Sequence, residues 1–177
     1  MKKIVLTICM LFAILLVTTA QDAQILFDQQ KYQEALDAAN ASIKKNPAVG
    51  EAYFWAGLSA AALEKFSEAA GYYAKVIALE PDHVDAHDRL GRLYLFNLNE
   101  TEKALPYLRR CTELARNEYN LYHLGIAYSR LSQFDAALTA FTESRKIMLD
   151  AKSDDAWLID NLEWAIGATK NKEPLFF

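Results

Sequence analysis

The sequence predicts an all-α fold, a stack of helix–turn–helix hairpins, and three observations carry that prediction. Gly57, Gly91 and Gly125 recur at a spacing of 34 residues, and their surroundings, Leu90-Gly91-x-x-Tyr94 and Leu124-Gly125-x-x-Tyr128, match each other. Ala35, Ala69, Ala104 and Ala137 recur beside them at spacings of 34, 35 and 33, which implies one inserted residue near Asn97 to Glu100. Asn46-Pro47 and Glu80-Pro81 close two of the units where a helix cannot continue. With 53% hydrophobic and 24% charged residues among 177, and few Gly or Pro, the chain falls in the globular class.

The first twenty residues stand apart. Lys2 and Lys3 precede an apolar run from Ile4 to Val17 and then Thr18-Thr19-Ala20, the pattern of a secretory signal peptide cleaved after Ala20. The run is shorter than the roughly 20 residues a transmembrane helix needs, and polar Gln21-Asp22 follows at once. Cleavage removes Cys9 and leaves Cys111 as the one remaining thiol, so the fold is expected to stand on packing without a disulfide. It also changes the formal charge from −4 to −6, which disfavours nucleic acid and anionic membranes as partners. The expected location is exported, periplasmic or extracellular, and the style of the signal suggests a bacterial source. No membrane insertion is expected after cleavage.

The repeats follow. A partial copy covers about residues 21–49; its nominal start falls at Leu16, so its first helix begins near Asp22. Either that shortened helix is an N-terminal cap or the signal assignment fails. Residues 50–83 are the fullest copy, residues 84–117 lack the closing proline but carry Pro106 inside the second helix, and residues 118–151 lack the proline again, so their second helix is free to run on. Ser67 before Glu68-Ala69-Ala70 is a candidate N-cap. Glycine inside a helix costs about 1 kcal/mol against Ala, so a close approach of the paired helix is expected at Gly57, Gly91 and Gly125. Ser153-Asp154-Asp155 starts a last helix, residues 153–170, with an apolar stripe of Leu158, Leu162, Ala165 and Ile166; it is expected to cap the stack. Residues 171–177 are a tail whose Pro174-Leu175-Phe176-Phe177 either frays, docks along its own chain or enters a partner.

This pattern resembles the tetratricopeptide repeat (TPR) family. In the copy at 50–83, Tyr53, Gly57, Phe66, Ala69, Tyr73 and Pro81 stand at pattern positions, with Ala56 and Ala60 in place of the usual Leu and Tyr. The resemblance implies a right-handed superhelical stack of hairpins. It also implies a concave groove lined by the second, fifth, ninth, twelfth and thirteenth positions of each first helix. Carried onto this chain, those positions include Phe54 and Leu58, then Asp88, Arg92, Leu95 and Phe96, then Tyr119, Tyr122, Ile126, Ser129 and Arg130. The Lys and Asn with which some members hold a partner's C-terminal carboxylate are absent, replaced by Phe54 and Leu58, Asp88 and Arg92, Tyr122 and Ile126.

No catalytic constellation competes. His83 and His87 lie four apart, but the metalloprotease pattern needs Glu where Val84 stands, and there is no Gly-rich phosphate loop, Gly-x-Ser-x-Gly or paired-cysteine motif. Cys111 is expected to be a core thiol. The sequence therefore predicts a non-enzymatic scaffold with no cofactor and no metal. Its candidate partner-binding residues are Phe54, Leu58, Asp88, Arg92, Phe96, Tyr119, Tyr122, Ile126 and Arg130, and the partner is a protein or peptide. The alternative is a structural homo-oligomer joined through the Leu158 to Ile166 stripe or the tail.

Overall fold

The computed structural model of the chain describes residues 21–176; the expected signal, Cys9 and Phe177 lie outside them. Helix α1 covers 21–28, α2 Tyr32–Lys45, α3 Gly50–Ala62 and α4 Phe66–Leu79. Next, α5 covers Val84–Arg92 and passes into a π-helical turn, Leu93–Asn97. Then come α6 Thr101–Leu114, α7 Glu118–Arg130, α8 Phe134–Asp150 and α9 Ala156–Lys170. No strand occurs among the described residues, and no helix among them is long and apolar enough to cross a membrane. The contacts divide the chain into two compact units, one ending at Ala86 and one beginning at His87.

In the first unit the hairpins α1/α2 and α3/α4 are closed by local chemistry. Asn46 stops α2 by donating its N–H to Ser42 O and accepting from Ala48 N on its side chain, and Pro47 prevents resumption. The apolar face of α2 is Ala35, Leu36 and Ala39, one stripe at helical spacing. Helix α2 packs against α3, whose buried residues Ala52, Ala56, Gly57 and Ala60 are all small. A Cβ on Gly57 would lie 2.7 Å from Tyr73 Cε1, so Gly57 is the space that the buried Tyr73 ring fills. Ser67 does not cap α4. That helix begins one residue earlier, at Phe66, with Lys65 at the cap position and no side-chain hydrogen bond there.

The second unit repeats the device. A Cβ on Gly91 would meet Leu108 Cδ2 at 2.7 Å, and one on Gly125 would meet Phe141 Cε1 at 2.5 Å. Pro106 lies in the second turn of α6, which continues to Leu114, and Cys111 is buried on the same helix. Helix α8 reaches 17 residues, against 14 in α4, which Pro81 closes, and 14 in α6, which stops at Leu114 without a closing proline.

The inserted residue lies between Gly91 and Asn99, an interval that overlaps the expected Asn97 to Glu100. Gln30, Glu64, Asn99 and Ser132 hold left-handed backbone at the turn inside each hairpin, with φ of 61°, 59°, 53° and 58°. Gly57 precedes its turn residue by seven positions and Gly125 does the same, whereas Gly91 precedes Asn99 by eight. The π-helical turn lies in that interval, and a π turn is how a helix absorbs one extra residue.

In α9 the stripe Leu158, Leu162 and Ala165 is completely buried and belongs to one core with Tyr122, Phe141 and Met148, with Ile166 packed against it. That face is therefore spent inside the chain, and the expectation that it joins copies into an oligomer is corrected. Asp155 caps α9 by accepting from Leu158 N at 3.0 Å.

Candidate functional site

Within the first unit the candidate face is that of α3. Phe54 is half-buried, with its ring centroid 5.0 Å from His83 and 6.0 Å from Tyr73; Leu58, one turn on, is also half-buried. His83 is fixed from the other side, because its Nδ1 accepts from Ala86 N at 3.2 Å and so caps the start of α5. Among the described residues no group of three His, Cys, Asp or Glu could hold a metal ion.

The second unit gathers most of the remaining candidates, in an arrangement the spacing alone does not reveal. Asp88 and Arg92 pair along α5, Nη1 to Oδ2 at 3.3 Å. Against them, from α7, stands His123, which is not among the residues the sequence pattern singles out. Its Nδ1 is 3.8 Å from Asp88 Oδ1, and its ring is 5.8 Å from Phe96 and 5.7 Å from Tyr122. Burial pushes its pKa down from 6.5 to about 3, and the Arg92 charge acts the same way. At neutral pH His123 is therefore uncharged, and its approach to Asp88 is not an ion pair. The signal that could have found it is its position next to Tyr122, four residues before Ala127, on a helix buried nearly all round.

Four groove assignments need correction, one of them the completely buried Ser129. Tyr122 and Ile126 are 3% and 1% exposed and belong to the core, and Leu95 is completely buried. The reason lies far along the chain: Trp157 of α9 meets Tyr122 edge to face at 5.8 Å, and Leu175 of the tail joins the same core as Ile126. Tyr119 stays 41% exposed but is engaged, its hydroxyl donating to the Asp155 carboxylate at the start of α9. That bond holds the Asp155 carboxyl below its usual range and raises the Tyr119 phenol. Phe96 is 40% exposed, with the Arg130 guanidinium 5.4 Å over its ring.

The tail is not frayed. After α9 the chain turns at Lys172, φ 59°, with Glu173 N donating to Ala168 O. Residues 173–176 then run without regular structure along the end of α7. Ser129, fully buried, donates its hydroxyl to Glu173 O at 3.5 Å and accepts from Leu175 N at 3.2 Å. Arg130 Nε donates to Leu175 O at 2.9 Å, and its Nη1 donates to Leu95 O in the π-helical turn after α5. Burial of this guanidinium lowers its pKa. Ser129 and Arg130 occupy the twelfth and thirteenth positions of their helix, where the other copies have Ala61 and Ala62, and Leu95 and Phe96. That polar pair among apolar counterparts is the sequence trace of the tail's seat.

Residues 22–78 and 56–118 each match the tetratricopeptide repeat family. No curated protein matches the chain in sequence. Among solved structures it is similar to YrrB, a TPR protein with an unusual peptide-binding site, at 19% identity and a TM-score of 0.70 over 86% of this chain and 90% of that one. Residues 41 to the end of MamA from Desulfovibrio magneticus RS-1 superpose at 19% identity and TM-score 0.70, covering 88% and 96%. The first TPR of Spaghetti (RPAP3), bound to the HSP90 peptide SRMEEVD, is similar at 22% identity and TM-score 0.61, covering 66% and 95%. At these identities the likeness is one of fold.

Proposed function

The chain belongs to the tetratricopeptide repeat family, and from that premise we propose that it is an exported, non-enzymatic scaffold that binds a partner protein or peptide on the open faces of its first helices. One observation carries the reading: α7 already holds a stretch of polypeptide main chain, its own residues 173–175, through Ser129 and Arg130. A face that grips main chain in this way is a peptide-binding face. The peptide-binding descriptions of two structural neighbours agree with it. In the first unit, Phe54 and Leu58 offer an apolar anchor; in the second, Asp88, Arg92 and Phe96 offer charge and an aromatic edge. Export rests on the signal pattern of residues 1–20, and a periplasmic or extracellular location follows from it.

The test is affinity capture from the native cell envelope with the wild-type chain and with Leu58→Ala and Phe54→Ala. Helical content measured by circular dichroism guards against unfolding, since Phe54 also packs on Tyr73. Loss of an anchor of this kind weakens binding by about 1–3 kcal/mol, roughly tenfold or more. Unchanged capture by both folded variants would remove α3 as the binding face.

A further inference from the structure

The way the tail is held says what kind of segment its seat accepts. All three hydrogen bonds between the tail and the pair Ser129 and Arg130 use the tail's main chain: Glu173 O accepts from Ser129, Leu175 N donates to Ser129, and Leu175 O accepts from Arg130. One side chain of the segment is buried, Leu175 at 1% exposure, while Glu173 and Pro174 face water and Phe176 is 69% exposed. The seat therefore selects an extended backbone and one branched aliphatic side chain, and is indifferent to the neighbours. Proline between the two bonded residues suits this requirement. Its absent N–H is not called on, and it biases the residue before it towards extended backbone.

The hold is also of a strength that competition can overcome. A single buried side chain and three hydrogen bonds keep the tail in place, helped by an effective concentration on the order of millimolar for a short tether. Ser129 is completely buried, so its hydroxyl depends on the segment for both of its hydrogen bonds. Removing the tail without replacement strands that hydroxyl; exchanging it for another extended segment does not.

We propose that the seat formed by Ser129, Arg130 and the Leu175 pocket is the peptide-binding site of the second unit, and that residues 173–175 are its resident occupant. The ligand is an extended segment of a partner protein with leucine following proline, and it binds by displacing the tail. This rests on the scaffold reading above and adds to it the ligand class and a built-in competitor.

The experiment uses the full chain and a fluorescein-labelled peptide of its own last seven residues, NKEPLFF, followed by anisotropy. Leu175→Ala empties the pocket of its resident side chain and is expected to bind the peptide about tenfold more tightly than wild type. A peptide with alanine in place of the leucine is expected not to bind, and adding Arg130→Ala to Leu175→Ala is expected to cost about tenfold in affinity. Pro174→Gly, which loosens the tail and leaves the pocket residue in place, should shift affinity in the same direction as Leu175→Ala. Equal binding by wild type and a folded Leu175→Ala, or no binding by either, overturns the proposal. So does dimerisation of wild type that Leu175→Ala abolishes, because the seat would then serve tail exchange between copies. Equal probe binding leaves the scaffold reading intact, whereas unchanged capture by the α3 variants removes that face without touching this result.

Discussion

A methyl group added at Gly125 would stand 2.5 Å from the Phe141 ring, and one added at Gly167 would meet nothing within 4 Å. The same substitution should therefore act with opposite sign at the two sites. Gly125→Ala is expected to destabilise by about 1–3 kcal/mol, because Phe141 is completely buried and has nowhere to retreat. Gly167→Ala, in the exposed face of α9, should stabilise by about 0.5–1 kcal/mol through the lower entropy of its unfolded chain. Urea midpoints of the two variants decide it, and equal signs would contradict the packing described. His123 makes a pH-dependent contribution whose direction follows from its pKa, lowered from 6.5 to about 3. Between those values the unfolded chain carries a proton on this ring and the folded chain does not, so stability is lost as pH falls from about 6.5 towards 3. A loss of roughly a few kcal/mol between pH 7 and pH 4 is expected, and His123→Gln should flatten the part of the profile above pH 5. Identical slopes in the two proteins would show that His123 takes up its proton equally in the folded and unfolded chains.

At the scale of elements, α9 is held at its start by a single carboxylate with two duties. Asp155 accepts from Leu158 N as the helix cap and from the Tyr119 hydroxyl on α7. Asp155→Ala removes both and should lower local stability by about 0.5–2 kcal/mol. Hydrogen exchange should show it as faster exchange across 156–170, with Tyr119→Phe a milder version; unchanged protection in Asp155→Ala would mean that burial of Leu158 and Leu162 alone sets this helix. The helices themselves were largely legible. The recurring Ala marked each hairpin and the recurring Gly three of them, and the prolines marked two ends; without a proline α8 runs on to Asp150, whereas α6, also without one, stops at Leu114. The place of the extra residue was legible only roughly, since spacing between Ala69 and Ala104 locates an insertion only to an interval. Backbone hydrogen bonding put it in the π-helical turn at Leu93–Asn97. Ser67 misled for a related reason: a serine near a helix start is compatible with capping, but the turn geometry at Glu64 and Lys65 had already begun the helix at Phe66.

Over the whole molecule, the candidate surface was legible in part. Phe54, Leu58, Asp88, Arg92, Phe96 and Arg130 retain exposed area on first helices, as their pattern positions imply, and Tyr119 is exposed but tied to Asp155. Tyr122 and Ile126 occupy equivalent pattern positions and are buried, because α9 and the tail come back over α7. By itself the sequence determined the repeat, the helices and the close approaches at Gly57, Gly91 and Gly125, since each depends on residues within one period of about 34 and on local backbone chemistry. Only the tertiary structure decided which faces stay open. Ser129 meets Leu175 across 46 residues and Tyr119 meets Asp155 across 36, and neither pairing belongs to the repeat. Covering a face is a matter of which distant segment gains most by burying itself there, and no periodic pattern records that competition.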